Sequence, residues 1–248
     1  MFRASIISAV LLAASLSCVA CIDASKRLAS GGNDVASPQE QAAALVKACP
    51  KGTQPAADGL IDDLEDNDNK VAKLGGRDGD WFTSVDPNGS TMEPSPFKMT
   101  EGGAGGSKYA AHAFGQTSDA NGAWGAQLGA TFAGAGAYDA SVYAGISFKA
   151  KIGEHSTKKI RFKVADVNTH PDGGVCKTCW NHFGNDLTLT PEWVEYKLPF
   201  SEMTQEKGWG DPQKSITPGK LIAINWSIGP GQLYDLWVDD IAFFECAP

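Results

Sequence analysis

IRFKVADVNTHPDGGVCKTCWNHFG, residues 160–184, opens with Ile160, Phe162 and Val164 at every second position, the period of a strand with one face buried. Asp166 and Asn168 keep that parity, so the apolar stripe turns polar where the strand leaves the core. A Pro-Asp-Gly-Gly turn follows, and the segment closes on Cys176, Cys179, Trp180 and His182. Two readings compete for this end: a metal or catalytic centre, and a disulfide-pinned loop that presents side chains for binding.

The period of two continues on both sides. Upstream, Val142, Ala144, Ile146 and Phe148 alternate in VYAGISFKA, as do Trp124, Ala126 and Leu128 in AWGAQLG. GDWFTSVD ends in an Asp-Pro-Asn-Gly turn, and a first strand is expected around Leu60 to Leu64. Downstream, WVEYKLPF, LIAINWSIG and YDLWVDDIAFF supply three more strands, with Trp226 in step with Ile222, Ile224 and Ile228 as a core residue. Roughly eight to ten short strands, separated by glycine and proline turns without helical crossovers, predict an all-β antiparallel sandwich or jelly roll. The 28 glycines and 13 prolines agree, and 248 residues at 42% hydrophobic content suit one core.

The N-terminus, MFRASIISAVLLAASLSCVAC, carries one positive charge at Arg3, an apolar run too short to span a membrane, and small residues before cysteine. It reads as a signal over residues 1–20 with a lipobox-like site at Cys21; Cys18 is the rival lipidation site, and cleavage after Ala20 without lipid is the plain alternative. Residues 21–48 form a tether, within which Ser37, Pro38 and Glu40 mark the start of a short helix. The sandwich occupies residues 49–248. The expected location is the cell envelope, lipid-anchored or otherwise secreted, and the expected state is a monomer. A formal net charge of −8 argues against nucleic acid and leaves the lipid as the only membrane contact.

With Cys18 cleaved and Cys21 acylated, Cys49, Cys176, Cys179 and Cys246 remain in an oxidising compartment. For Cys176 and Cys179 a local disulfide competes with zinc bound together with His170 and His182, and with a redox pair. Zinc sites usually have two paired-ligand knuckles, whereas here single histidines flank one Cys-x-x-Cys; a redox pair needs a strand-to-helix context that is missing. No Gly-x-Ser-x-Gly elbow, His-Glu-x-x-His motif or phosphate loop is present, so no catalytic residue is assigned.

The order LIDDLED, GSKYAAH, WGAQLG, YDASVYAGISFKA, LTLTPEWVEYKLPF, GWG and YDLWVDDIAFF, from Leu60 to Phe244, resembles the galactose-binding-like jelly rolls. Within them it is similar to carbohydrate-binding module family 11, whose members are attached to bacterial glucan-degrading enzymes. The resemblance implies a structural calcium where the first and last strands meet, with Glu65 and Asp239 as ligands and Asp63 and Asp240 as competitors. A solvated acidic patch is the alternative. If those strands are neighbours, as the resemblance implies, a Cys49–Cys246 bridge closes the domain and adds on the order of 4 kcal/mol.

Binding sugar in water needs flat aromatic faces bordered by polar side chains. Trp81, His112, Trp180, His182 and Trp209 fall near strand ends or turns and are the candidate platforms; Asp166, Asn168 and His170 complete the candidate rim. The expected function is non-catalytic binding of polysaccharide, of the β-glucan type. A glucan-degrading glycoside hydrolase on the same sandwich and an envelope adhesion protein are the alternatives.

Overall fold

The computed structural model describes residues 38–248; the signal, Cys18, Cys21 and the tether as far as Ser37 lie outside them. A helix, α1 (Pro38–Ala48), has Glu40 in its first turn and Lys47 in its last, both matched to the helix dipole. It packs on the sandwich, where Lys47 Nζ meets Glu202 at 2.8 Å. Cys49, at its end, is bonded to Cys246.

Eleven strands follow: β1 (Thr53–Asp62), β2 (Trp81–Val85), β3 (Met99–Glu101), β4 (Tyr109–Gln116), β5 (Ala126–Thr131), β6 (Gly145–Ile152), β7 (Lys159–Asp166), β8 (Phe183–Thr188), β9 (Val194–Pro199), β10 (Leu221–Ile228) and β11 (Leu233–Cys246). All pairings are antiparallel. One sheet runs β3-β4-β11-β6-β9 and the other β2-β5-β10-β7-β8. The long β11 pairs β6 along one edge, while its other edge is shared by β4 at the start and β1 at the end. This is the all-β jelly-roll sandwich that the alternation predicts.

Three local differences have physical causes. β1 begins at Thr53 rather than Leu60, because Pro55 interrupts the pattern yet is tolerated on a strand with only one partner. β3 is too short to show a period. Ile222 leaves the stripe of Ile224, Trp226 and Ile228, since the register with β7 shifts between Leu221 and Ala223; it joins a small cluster with Ala165 and Ala223 instead.

The core lies between the sheets around fully buried Trp226. Phe148 meets it edge-on at 5.2 Å, and Trp81 stacks between it, at 6.0 Å, and Phe97, at 4.9 Å. Trp81 is therefore a core residue and not a binding platform. Its indole Nε1 donates to Asp62 at 2.6 Å, so its one polar atom is satisfied inside the protein.

Candidate functional site

The β7–β8 connection is built on Asp166, the buried last residue of β7. Its Oδ1 accepts from the Asn168 amide at 3.1 Å and the Thr169 hydroxyl at 3.0 Å, and its Oδ2 accepts from the Thr217 amide at 2.9 Å. Asn168 in turn donates to the Thr217 hydroxyl at 2.9 Å. Both candidate rim residues are thus engaged in shaping the loop. His170 caps the turn Pro171–Gly173 by accepting from the Asp172 amide. The turn requires Gly173, since a Cβ there would stand 1.9 Å from the Val167 carbonyl oxygen.

Cys176 and Cys179 are disulfide-bonded, which removes both thiolates from zinc chemistry. Trp180 follows in a left-handed conformation, φ 78°, its amide donating to the Thr169 carbonyl at 2.9 Å. Its ring stands beside His170 at 5.1 Å and His182 at 6.0 Å and remains 56% exposed. His182 is buried, with Nδ1 2.9 Å from the Thr169 hydroxyl. Burial, reinforced by the nearby Lys163 charge and His170, pushes its pKa down to about 3. Thr169 lies between His182 and Asp166, so the carboxylate does not orient the imidazole, and an imidazole of so low a pKa is a poor general base at neutral pH.

A second loop, residues 203–213, is sutured to the first through Asn181. The Asn181 amide donates to the carbonyls of Glu206 and Trp209 at 2.9 and 2.6 Å and accepts from the Glu206 amide at 3.0 Å. Gln205 donates back to the Asn181 carbonyl at 2.7 Å, and the Asp211 amide donates to the Thr178 carbonyl at 3.0 Å. The half-exposed Trp209 and the exposed Trp180 are therefore carried by one cross-linked unit.

Behind that unit lies the outer face of β2-β5-β10-β7-β8. Residues alternating with the core stripe point away from the core, yet Arg161, Asn225 and Ser227 are buried. The face is recessed because the second loop folds over the β8 edge: Gly184 bridges Thr204, whose carbonyl accepts from Arg161. Cross-strand pairs set Gln127, Ser227, Arg161 and Asp186 in one row, with Gly129, Asn225 and Lys163 in the next. Phe82 lies over Gly129, where a Cβ would come within 2.5 Å of its ring. Arg161 pairs Asp186 at 3.0 Å; Lys163 reaches Glu206 only at 3.9 Å. Burial pushes the Lys163 pKa down against the pull of Glu206. The result is a part-buried polar face with Phe82 on one side and the Trp180 loop, through His182 beside Lys163, on the other.

No protein-family model and no curated protein matches this chain. Solved structures do. The family 11 carbohydrate-binding module of a cellulosomal cellulase of Clostridium thermocellum has a TM-score of 0.52 at 18% identity, covering 79% of this chain and 95% of that one. The same kind of module from Clostridium thermocellum, solved with a β-1,3-1,4-mixed-linked tetrasaccharide, has a TM-score of 0.51 at 18% identity, over 77% and 98%. A family 30 carbohydrate-binding module has a TM-score of 0.54 at 12% identity, over 77% and 88%. The fold is that of the carbohydrate-binding jelly rolls.

On this jelly roll His112 belongs elsewhere, on the outer face of the other sheet. It stacks on Trp237 at 3.7 Å, and both rings contact Asp235 Oδ1 at 2.8 Å. Trp237 also receives Lys151 Nζ 4.9 Å from its ring centre. His112 thus gives its ring face to a neighbour and stands apart from the Trp180 loop.

Glu65 and Asp239 converge on the glycine-rich turn before β4. Glu65 Oε1 accepts from the Ser107 hydroxyl at 2.7 Å and the amides of Lys108 and Tyr109 at 2.8 and 2.9 Å, bonds that hold its pKa below the usual range. Buried Asp239 accepts from the Ala104 and Asp240 amides, both at 2.7 Å, and burial pushes its pKa up. Asp240 pairs Lys149 at 2.7 Å, and Asp63 accepts from the Glu65 amide. Among the described residues no three His, Cys, Asp or Glu side chains group around one point. Glu65, Asp239 and Ser107 carry oxygens of the kind calcium takes, and in the structure the two carboxylates are engaged by the amides and hydroxyl of the turn and by the Asp240 amide.

Among these groups, the tryptophan loop was marked by its own residues. Arg161, Lys163, Asp186, Asn225, Ser227 and Gln127 carried no mark, because a polar residue alternating with core positions reads as a solvated face; only the loop that folds over them makes the face a recess.

Proposed function

We propose that this protein is a non-catalytic polysaccharide-binding module that lays a β-glucan chain across the recessed face, held at the cell envelope through a lipid on Cys21. The carrying observation is that Trp180 and Trp209 stay exposed although the loops bearing them are cross-linked by Asn181, beside a buried row of sugar-compatible polar groups. Exposed rings cost hydration, and holding them rigid lowers the entropy lost when a pyranose stacks on them. The tetrasaccharide bound to a family 11 module of the same fold supports the ligand class.

In this reading calcium is a structural ion held by Glu65 and Asp239, fixing the turn before β4 to the first and last strands. Affinity electrophoresis of the full chain through gels containing soluble glucans tests the function. Retardation by a mixed-linkage or β-1,4 glucan is expected, lost in Trp180→Ala and Trp209→Ala, with no reducing sugar released. Passage through every glucan unretarded overturns the binding reading, and sugar release overturns the non-catalytic one.

A further inference from the structure

Among the described residues, Lys163 Nζ has an ion-pair partner but no hydrogen-bond acceptor. Its neighbour Arg161 has a carboxylate partner at 3.0 Å and two backbone carbonyls, of Gly184 and Thr204. Among the described residues Lys163 Nζ has only Glu206 at 3.9 Å, too far for a hydrogen bond, and its side chain is 11% exposed. Arg161 repels it, Asp186 attracts it from behind the Arg161 pair, and His182 beside it is neutral. Nζ reaches solvent, so the three donors of the ammonium are open to a ligand.

We infer that Lys163 reads an anionic substituent, so that the ligand is a β-glucan chain bearing carboxylate groups. The inference rests on the polysaccharide reading of the same face. A neutral hydroxyl could accept one of the three N–H groups, but a carboxylate forms a charge-assisted bond and restores the full charge that burial opposes. The distance to Glu206 leaves Nζ free to turn toward such a group, and the amine lies in the row beside Asn225, within the recess that a glycan would cross. The chain as a whole offers polyanions no attraction, since its formal net charge is −8; any preference for an acidic glycan must arise locally.

The test compares two polymers with one backbone, carboxymethylcellulose and hydroxyethylcellulose, in affinity gels with the full chain. Wild type is expected to bind the carboxylated polymer about tenfold more tightly, the size of one partly desolvated charge-assisted contact. Lys163→Met should bring the two affinities together by weakening the carboxylated one more than the neutral one, and Lys163→Arg should keep the preference and show that the site tolerates substitution. Equal binding of both polymers by wild type, or a preference that survives in Lys163→Met, overturns the inference and leaves the binding function standing. Retention by neither polymer, nor by any other glucan, removes the function itself and the inference with it.

Discussion

Lowering the pH should destabilise the protein through His182, by an amount the structure sets. The ring is buried, held at Thr169, and faces Lys163 and His170, so its pKa falls from 6.5 to about 3 on folding. The folded state therefore binds fewer protons than the unfolded chain between these values. The stability is whole above pH 6.5 and declines as pH falls through that window, by about 1.4 kcal/mol per unit. At pH 5 the loss is about 2 kcal/mol. Asp62 acts in the opposite sense: burial raises its pKa from 3.8 to about 7, so its contribution improves as pH falls from about 7 toward 3.8. The raw pH profile of the wild type mixes both. His182→Gln removes one titration and keeps the other, so the quantity to measure is the difference between the two proteins. Urea unfolding at pH 7 and pH 5 should show His182→Gln less stable than wild type at pH 7, from lost packing, with the gap narrowing by about 2 kcal/mol at pH 5. A gap that stays constant between the two pH values would refute the buried neutral histidine and the packing of the tryptophan loop upon it.

Three further outcomes follow from the same geometry. Replacing Cys49 and Cys246 by serine opens a loop spanning 197 positions and should cost on the order of 4 kcal/mol, whereas the Cys176–Cys179 pair, 3 apart, should cost about 2 kcal/mol; urea midpoints of the two double variants compare them. If calcium sits at Glu65 and Asp239, a chelator should lower the thermal midpoint of the wild type and leave Asp239→Asn unchanged, while identical midpoints with and without chelator would remove the ion. Trp81→Ala should cost about 3–5 kcal/mol as a core truncation, in contrast to Trp180→Ala, which should fall within about 1 kcal/mol of wild type while weakening glycan retention.

The alternation of Ile146 and Phe148, of Ile160 to Val164 and of the final YDLWVDDIAFF made the sandwich legible, because a strand with one buried face must repeat every second residue; Val142 and Trp124, in step with these stripes in the sequence, precede β6 and β5 and are exposed. The segment from Asp166 to His182 was legible as a closed loop, because a Pro-Asp-Gly-Gly turn and two cysteines three positions apart close locally. Burial was not legible for isolated positions. Trp81 and Trp180 are both aromatic residues near strand boundaries, and only the packing of Phe97 and Trp226 on one side, and open solvent on the other, separates core from rim.

The chain's local periodicity thus determined its strands, its turns and the identity of its most chemically loaded loop, since these depend on neighbours a few residues away. What surrounds the loop was decided in three dimensions. Asn181 ties it to residues 206 and 209, Thr204 covers the β8 edge, and Lys163 is thereby left half-buried, 3.9 Å from Glu206. Those contacts join residues 20 to 40 positions apart or more, and alternation along one strand carries no information about what folds over it.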